Sequence, residues 1–258
     1  MIDATDWILM GGLTLFAALV QSSTGFGFAL MVVPVYLLRL NSLAAVQLAI
    51  IITPLISLPV LPRVWPHADR GLLLRLGAGT LLGLPAGMAV FLHANPGVLR
   101  LLVGGVVCTL ALVFLAQLVR GAATAKRNQT TGTGFLGGSV RTILVGGLSG
   151  AMTSALGMPG PALMFYLTAL RLDKQTIRST MLSLVIFSYL SGLLIQLFMA
   201  GVSAETGWLA AGLAPFALVG SLLGHWVAGR LNQRQFLILV QVLLLATGGY
   251  MLLATLME

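Results

Sequence analysis

The stretch QSSTGFGFALMVVP, Gln21 to Pro34, decides how the rest of the chain is read. It lies inside a long apolar run, yet it holds four consecutive polar residues, two glycines and a proline. Relative to alanine, proline costs a helix interior about 3 kcal/mol and glycine about 1 kcal/mol. A helix that only had to cross a membrane gains nothing from such residues at mid-depth, so a break is predicted at Gly25 and Gly27. A second stretch, MTSALGMPGPALMF (152–165), carries Gly157, Pro159, Gly160 and Pro161 in the same setting and predicts a second break.

Composition sets the frame around these breaks. Of 258 residues, 58% are hydrophobic and 8% are charged, against roughly 25% charged in a soluble domain. Mean hydropathy is +1.03. The apolar runs are continuous and do not alternate, which predicts membrane helices rather than a barrel. The net charge of +8 belongs to loops facing the cytoplasm and anionic lipid, not to a nucleic-acid surface. Cys108 is the single cysteine, so there is neither an intrachain disulfide nor a thiolate metal cluster, and no cofactor is implied. Asp3 and Asp6 stand where a signal peptide would carry lysine or arginine, so the first apolar segment is expected to be retained.

Eight apolar stretches can be read, at 7–40, 43–61, 71–92, 97–118, 136–170, 178–200, 207–229 and 235–256. The polar segment 119–135 divides them into a first transmembrane repeat (1–118), a basic cytoplasmic linker, and a second repeat (136–258). FGFALM (26–31) aligns with PGPALM (159–164) at an offset of 133, and GLPAGMAV (83–90) with GSLLGHWV (220–227) at 137. Weak internal similarity of this kind marks secondary transporters. Gly79, Gly83 and Gly87, echoed by Gly220 and Gly224, suit close helix crossing. Trp7, Trp65, Trp208 and Trp226 read as interfacial anchors.

Charge decides between two topologies. If the first and fifth stretches each crossed once, the 14 lysines and arginines would divide seven to seven. If both fold back on themselves, only Arg39 and Arg100 lie opposite the other 12. The positive-inside rule favours folding back, with arms of about 14 residues, or about 21 Å. The fold expected is an all-α polytopic membrane protein. It has two inverted repeats of about four apolar segments, the first of each a broken, re-entrant helical hairpin. Both termini lie outside.

Broken helices expose backbone N–H groups and a positive dipole end, which attract anions. The two tips are therefore expected to meet around a small anion. Gln21, Ser22, Ser23, Thr24, Thr153 and Ser154 would donate hydrogen bonds, and Gly25, Gly27, Gly157 and Gly160 would admit the ligand to the backbone; the alternative is that these small residues only permit tight helix packing, with the serines bonded to their own helix. Gln47, Ser179, Thr180 and His225 are candidate cavity-lining residues. All six acids lie in loops or at segment ends, so no buried carboxylate is available to hold a cation. His225 is the one titratable group well inside a stretch; it reads first as a near-interface histidine bonded within the bundle, with a pH-sensitive proton relay as the alternative.

At these residues the chain resembles the TauE/SafE family of bacterial sulfite and organosulfonate exporters. The resemblance is carried by TGFGFALMVVP and SALGMPGPALMF, and by AAVQLA (44–49) and RSTMLS (178–183) after each hairpin. It runs from about 9 to 254, and the second motif departs from it through Pro159 and Pro161. It implies inner-membrane transport of a small sulfur-containing or carboxylic anion. The partners expected are that anion and the bilayer, with a homodimer left open. The alternative is an importer or channel for a small carboxylate. A rival from another class is an intramembrane serine protease of rhomboid type, since Gly147-Leu148-Ser149-Gly150 fits G-x-S-G and His225 follows two segments later. GHWVAG lacks the glycine spacing expected after a rhomboid histidine.

Overall fold

The computed structural model describes residues 3–25, 27–124, 138–170, 172–227 and 233–257. Ten long helices account for most of them: α1 (Ala4–Thr24), α2 (Phe28–Leu40), α3 (Ala44–Ser57), α4 (Arg70–His93), α5 (Pro96–Thr124), α6 (Ser139–Leu156), α7 (Gly160–Ala169), α8 (Lys174–Met199), α9 (Ala204–Val227) and α10 (Gln233–Met257). Short helical turns lead from α3 to α4 through Leu58–His67, where Pro59, Pro62 and Pro66 prevent a continuous helix. Segments of α1, α4, α5, α8 and α9 are long and apolar enough to cross a membrane. Their outer faces carry Leu82, Phe198 and Leu222 at 73–87% exposure. That surface suits lipid, not water, and the chain is a multi-pass membrane protein.

Both predicted breaks are present, each between two helices that fold back on one another. α1 ends at Gly25, in a positive-φ conformation (φ 95°), with its N–H donating to Gln21 O at 2.7 Å. Gly27 follows at φ 114° and starts α2. α6 ends at Gly157 (φ 68°), the Met158 N–H doubles back onto Met152 O at 3.1 Å, and Pro161 stands in the first turn of α7. Within each hairpin a threonine of the first arm bonds a tyrosine of the second: Thr14 with Tyr36, and Thr142 with Tyr166. The arms are not equal, as the sequence reading had them. They hold 21 and 13 residues in the first hairpin and 18 and 10 in the second. The polar run Gln21–Thr24 stays helical, so the turn waits for the glycine. α1 alone, at about 31 Å, matches the thickness of a hydrocarbon core of about 30 Å.

At the open end of the first hairpin, Arg39 pairs with Asp6 at 3.3 Å, and Arg100 donates to Asn41 Oδ1 at 3.0 Å. The two cations set apart by charge counting thus share one end with the N-terminal acid. At the start of α4 the Asp69 N–H donates to Thr180 Oγ1 of α8 at 3.0 Å. Asp69 itself caps α4 through Leu72 N, as Asp173 caps α8 through Thr176 N.

The halves do not sit side by side; they clasp. α4 packs along α6 of the other half, and α1 along α9. Glycines make these crossings close. A Cβ on Gly83 would overlap Gly147 O, and one on Gly87 would overlap Ala151 O; likewise Gly220 meets Leu15 O and Gly224 meets Leu19 O. Leu15 and Leu19 map onto Gly147 and Ala151 at an offset of 132, and Gly83 and Gly87 onto Gly220 and Gly224 at 137. The same contact is made twice. At the next turn the roles exchange: Gly79 meets Ile143 O, whereas Phe216 fills the space over Gly11. The hairpin tips keep the same register. Gly25 lies against Arg178 and Leu182 of α8, and Gly157 against Val46 and Ile50 of α3, every pair again at the offset of 132. The sequence alignment of FGFALM with PGPALM at 133 is therefore one position out of the register that packing enforces. Trp7, in the first turn of α1, covers Gly212 of α9.

Three consequences can be measured. Gly83→Leu and Gly220→Leu should each lower the thermal unfolding midpoint in detergent sharply, because backbone must separate from backbone, at a cost of at least the 1–3 kcal/mol typical of overpacking. Gly105→Ala, with open space around its Cβ position, should be neutral or stabilise by up to about 1 kcal/mol. Gly27→Ala should cost about 1–3 kcal/mol through backbone strain, even though only a Val20 methyl lies near the new Cβ, at 3.6 Å.

Candidate functional site

The two breaks line one cleft. Gln21, Gly27, Ala29 and Leu30 come from the first hairpin and Met158, Pro159, Gly160 and Pro161 from the second, with Val185 and Tyr189 of α8 closing one side. The space between their atoms is about 290 Å³, but a water's centre can move through only about 20 Å³ of it. One water needs about 10–15 Å³ on that measure. The cleft is narrow, with room for about one or two waters.

Gln21 is the predicted side chain that reaches the cleft, and its two ends are used. Its Nε2 donates to Ser57 Oγ at 2.8 Å, and its Oε1 accepts from the Phe28 N–H at 3.2 Å, bridging the break. Gly27 and Gly160 line the cleft as expected. Gly25 and Gly157 shape the tips without lining it.

The expected hydroxyl donors turn elsewhere. Ser22 donates to Ser221 Oγ of α9 at 2.8 Å, and Ser154 to Leu84 O of α4 at 2.7 Å. These are equivalent contacts, related by the offset of 132 on the hairpin side and of 137 on the other. Ser23 bonds back to Leu19 O and Val20 O, and Thr153 to Ser149 O. A hydroxyl buried among helices finds the nearest carbonyl, and these four hold helices rather than point at a ligand. The Thr24 and His225 side chains lie outside the described residues.

The cavity-lining candidates also lie away from the cleft. Gln47 donates to Gly201 O at 2.8 Å, in the link between α8 and α9. Thr180 accepts from Asp69 N, and Ser179 is buried beside it on α8. Sequence reasoning missed Tyr189, whose hydroxyl donates to Gly157 O at 2.6 Å. It also missed Ser57, which is the counterpart of Tyr189 in the repeat register. The repeat offset would have linked the two; an apolar run with a single tyrosine gave no other signal.

No charged side chain lines the cleft among the described residues, and no cluster of His, Cys, Asp or Glu there could hold a metal. Asp3, Asp6, Asp69, Asp173 and Glu205 stand at helix starts. The Asp173 carboxyl, exposed at the start of α8, is held below its ordinary range by the Thr176 side-chain and backbone hydrogen bonds, so it is no proton relay at neutral pH. The cleft is bordered by the N-terminal ends of α2 and α7, and the positive end of a helix dipole suits an anion. Ser149, the nucleophile of the protease reading, is fully buried and donates to Pro159 O at 3.0 Å. It serves the break.

No curated protein and no solved structure matches the chain. A family model described as Sulfite exporter TauE/SafE matches residues 10–251. With nearly its whole length matched, the chain belongs to the TauE/SafE family of membrane transporters.

Proposed function

We propose that this protein moves a small anion, sulfite or an organosulfonate, outward across the bacterial inner membrane, and that the anion binds where the two helix breaks face one another. The observation that carries the reading is the cleft itself: both breaks line it, and neither brings a carboxylate. Gln21, Gly27 and Gly160 are the predicted residues at the binding surface, and Ala29, Pro159 and Tyr189 join them. Ser22, Ser23, Thr153, Ser154, Gly25 and Gly157 act by holding the tips, and Gln47, Ser179 and Thr180 by holding the helices behind them. In this reading the repeats have inverted topology, with residues 119–135 in the cytoplasm and both termini outside.

Direction follows from charge. Moving one elementary charge across 100 mV is worth about 2.3 kcal/mol. With the cell interior negative, a monoanion leaves downhill by that amount, and export needs no coupling ion. Uptake would have to overcome the same term, and no carboxylate in the described cleft is placed to couple a cation to it.

In proteoliposomes loaded with sulfite, an inside-negative potential should drive efflux, and reversing the potential should suppress it. Gly27→Ala should reduce the flux at least tenfold. Movement of a plain carboxylate alone would keep the anion site and discard the sulfur assignment; flux indifferent to potential would remove the argument for direction. Cysteines placed at Gly132 and near the C-terminus should react with a membrane-impermeant thiol reagent from opposite faces. Reaction from a single face would overturn the inverted arrangement.

A further inference from the structure

The second break is tied by two hydroxyls from two different helices. Tyr189 of α8 donates to Gly157 O at 2.6 Å, and Ser149 of α6 donates to Pro159 O at 3.0 Å. Both side chains are buried, at 3% and 0% exposure. A peptide carbonyl is the negative end of its dipole, and in a cleft that holds hardly any water such a dipole acts with little screening. A carbonyl facing the cleft would repel an anion.

The first break is tied in the opposite sense. There the Gln21 Oε1 accepts from the Phe28 N–H, so a donor is withdrawn. Ala17, the counterpart of Ser149 in the repeat register, has no hydroxyl to offer. Ser57, the counterpart of Tyr189, receives a hydrogen bond from Gln21. The two breaks are alike in backbone and unlike in electrostatics. What differs is the side chain that ties each break: two hydroxyls on carbonyls at the second, and one amide oxygen on an N–H at the first, where the Gly27 carbonyl accepts from the Met31 N–H at 3.2 Å instead.

We propose that Tyr189 and Ser149 are positioning residues for the transported anion: by holding the Gly157 and Pro159 carbonyls they keep two negative dipoles off the cleft. The inference rests on the anion reading above. It also assigns Ser149 a part in substrate affinity, where sequence alone offers it only as the serine of a G-x-S-G tetrapeptide.

The test uses the full chain in proteoliposomes, with methanesulfonate as a monoanion and sulfoacetate as a dianion. Tyr189→Phe and Ser149→Ala should each raise KM about 3- to 10-fold, as expected for one hydrogen bond of this kind. The rise should be larger for the dianion, because repulsion by a dipole scales with ligand charge. kcat should stay within about twofold, and the thermal unfolding midpoint in detergent should shift little. Unchanged KM in both variants would overturn the proposal. So would an equal loss for the two anions accompanied by a lowered midpoint, which is the mark of a purely structural tie. A wild-type protein that moves neither anion would instead overturn the reading beneath it.

Discussion

Everything in this structure depends on one requirement: a peptide group in hydrocarbon must find its partner inside the protein. A helix meets that requirement without help, and a broken helix does not. At both breaks side chains supply what the ladder lacks. The Gln21 amide spans the first break, and the Ser149 and Tyr189 hydroxyls hold the second. The polar residues at the centre of this apolar protein are the condition for a non-helical backbone to exist at that depth. The helix ends that they stabilise are also the feature of the cleft that favours an anion.

The second constraint is closeness. Each hairpin's long arm lies against a helix of the opposite half, and glycines let carbonyl oxygens approach where a methyl group would collide. Without a hydrophobic force between helices in lipid, such contacts and their hydrogen bonds are what association relies on. Neither half buries its hairpin by itself. The division of the chain at 119–135, plain in composition, is therefore not a division into separately packed bodies.

Much of this was legible in the sequence, and the rest was not for physical reasons. The breaks were visible because glycine and proline act locally, wherever they sit. The glycine ladder was visible because its period of four is that of a helix face. The partners of Ser22, Ser154 and Gln47 were not visible, since each reaches a residue between 70 and 199 positions away. A hydroxyl has the same appearance in a sequence whether it meets a ligand or a carbonyl. The offset of 133 failed by one position because it matched letters, whereas packing matches Cα positions. Tyr189 was hidden by its neighbours, which are all those of a lipid-facing or core helix.

The run of three prolines between Leu58 and His67 carries a last consequence. By register it corresponds to the final third of α8, which in the second half is an unbroken rod. One strut of the molecule is jointed and its twin is stiff. Turning such a protein about an internal axis would not reproduce it: the two halves are not interchangeable, and the likeness of their contacts stops at three proline rings.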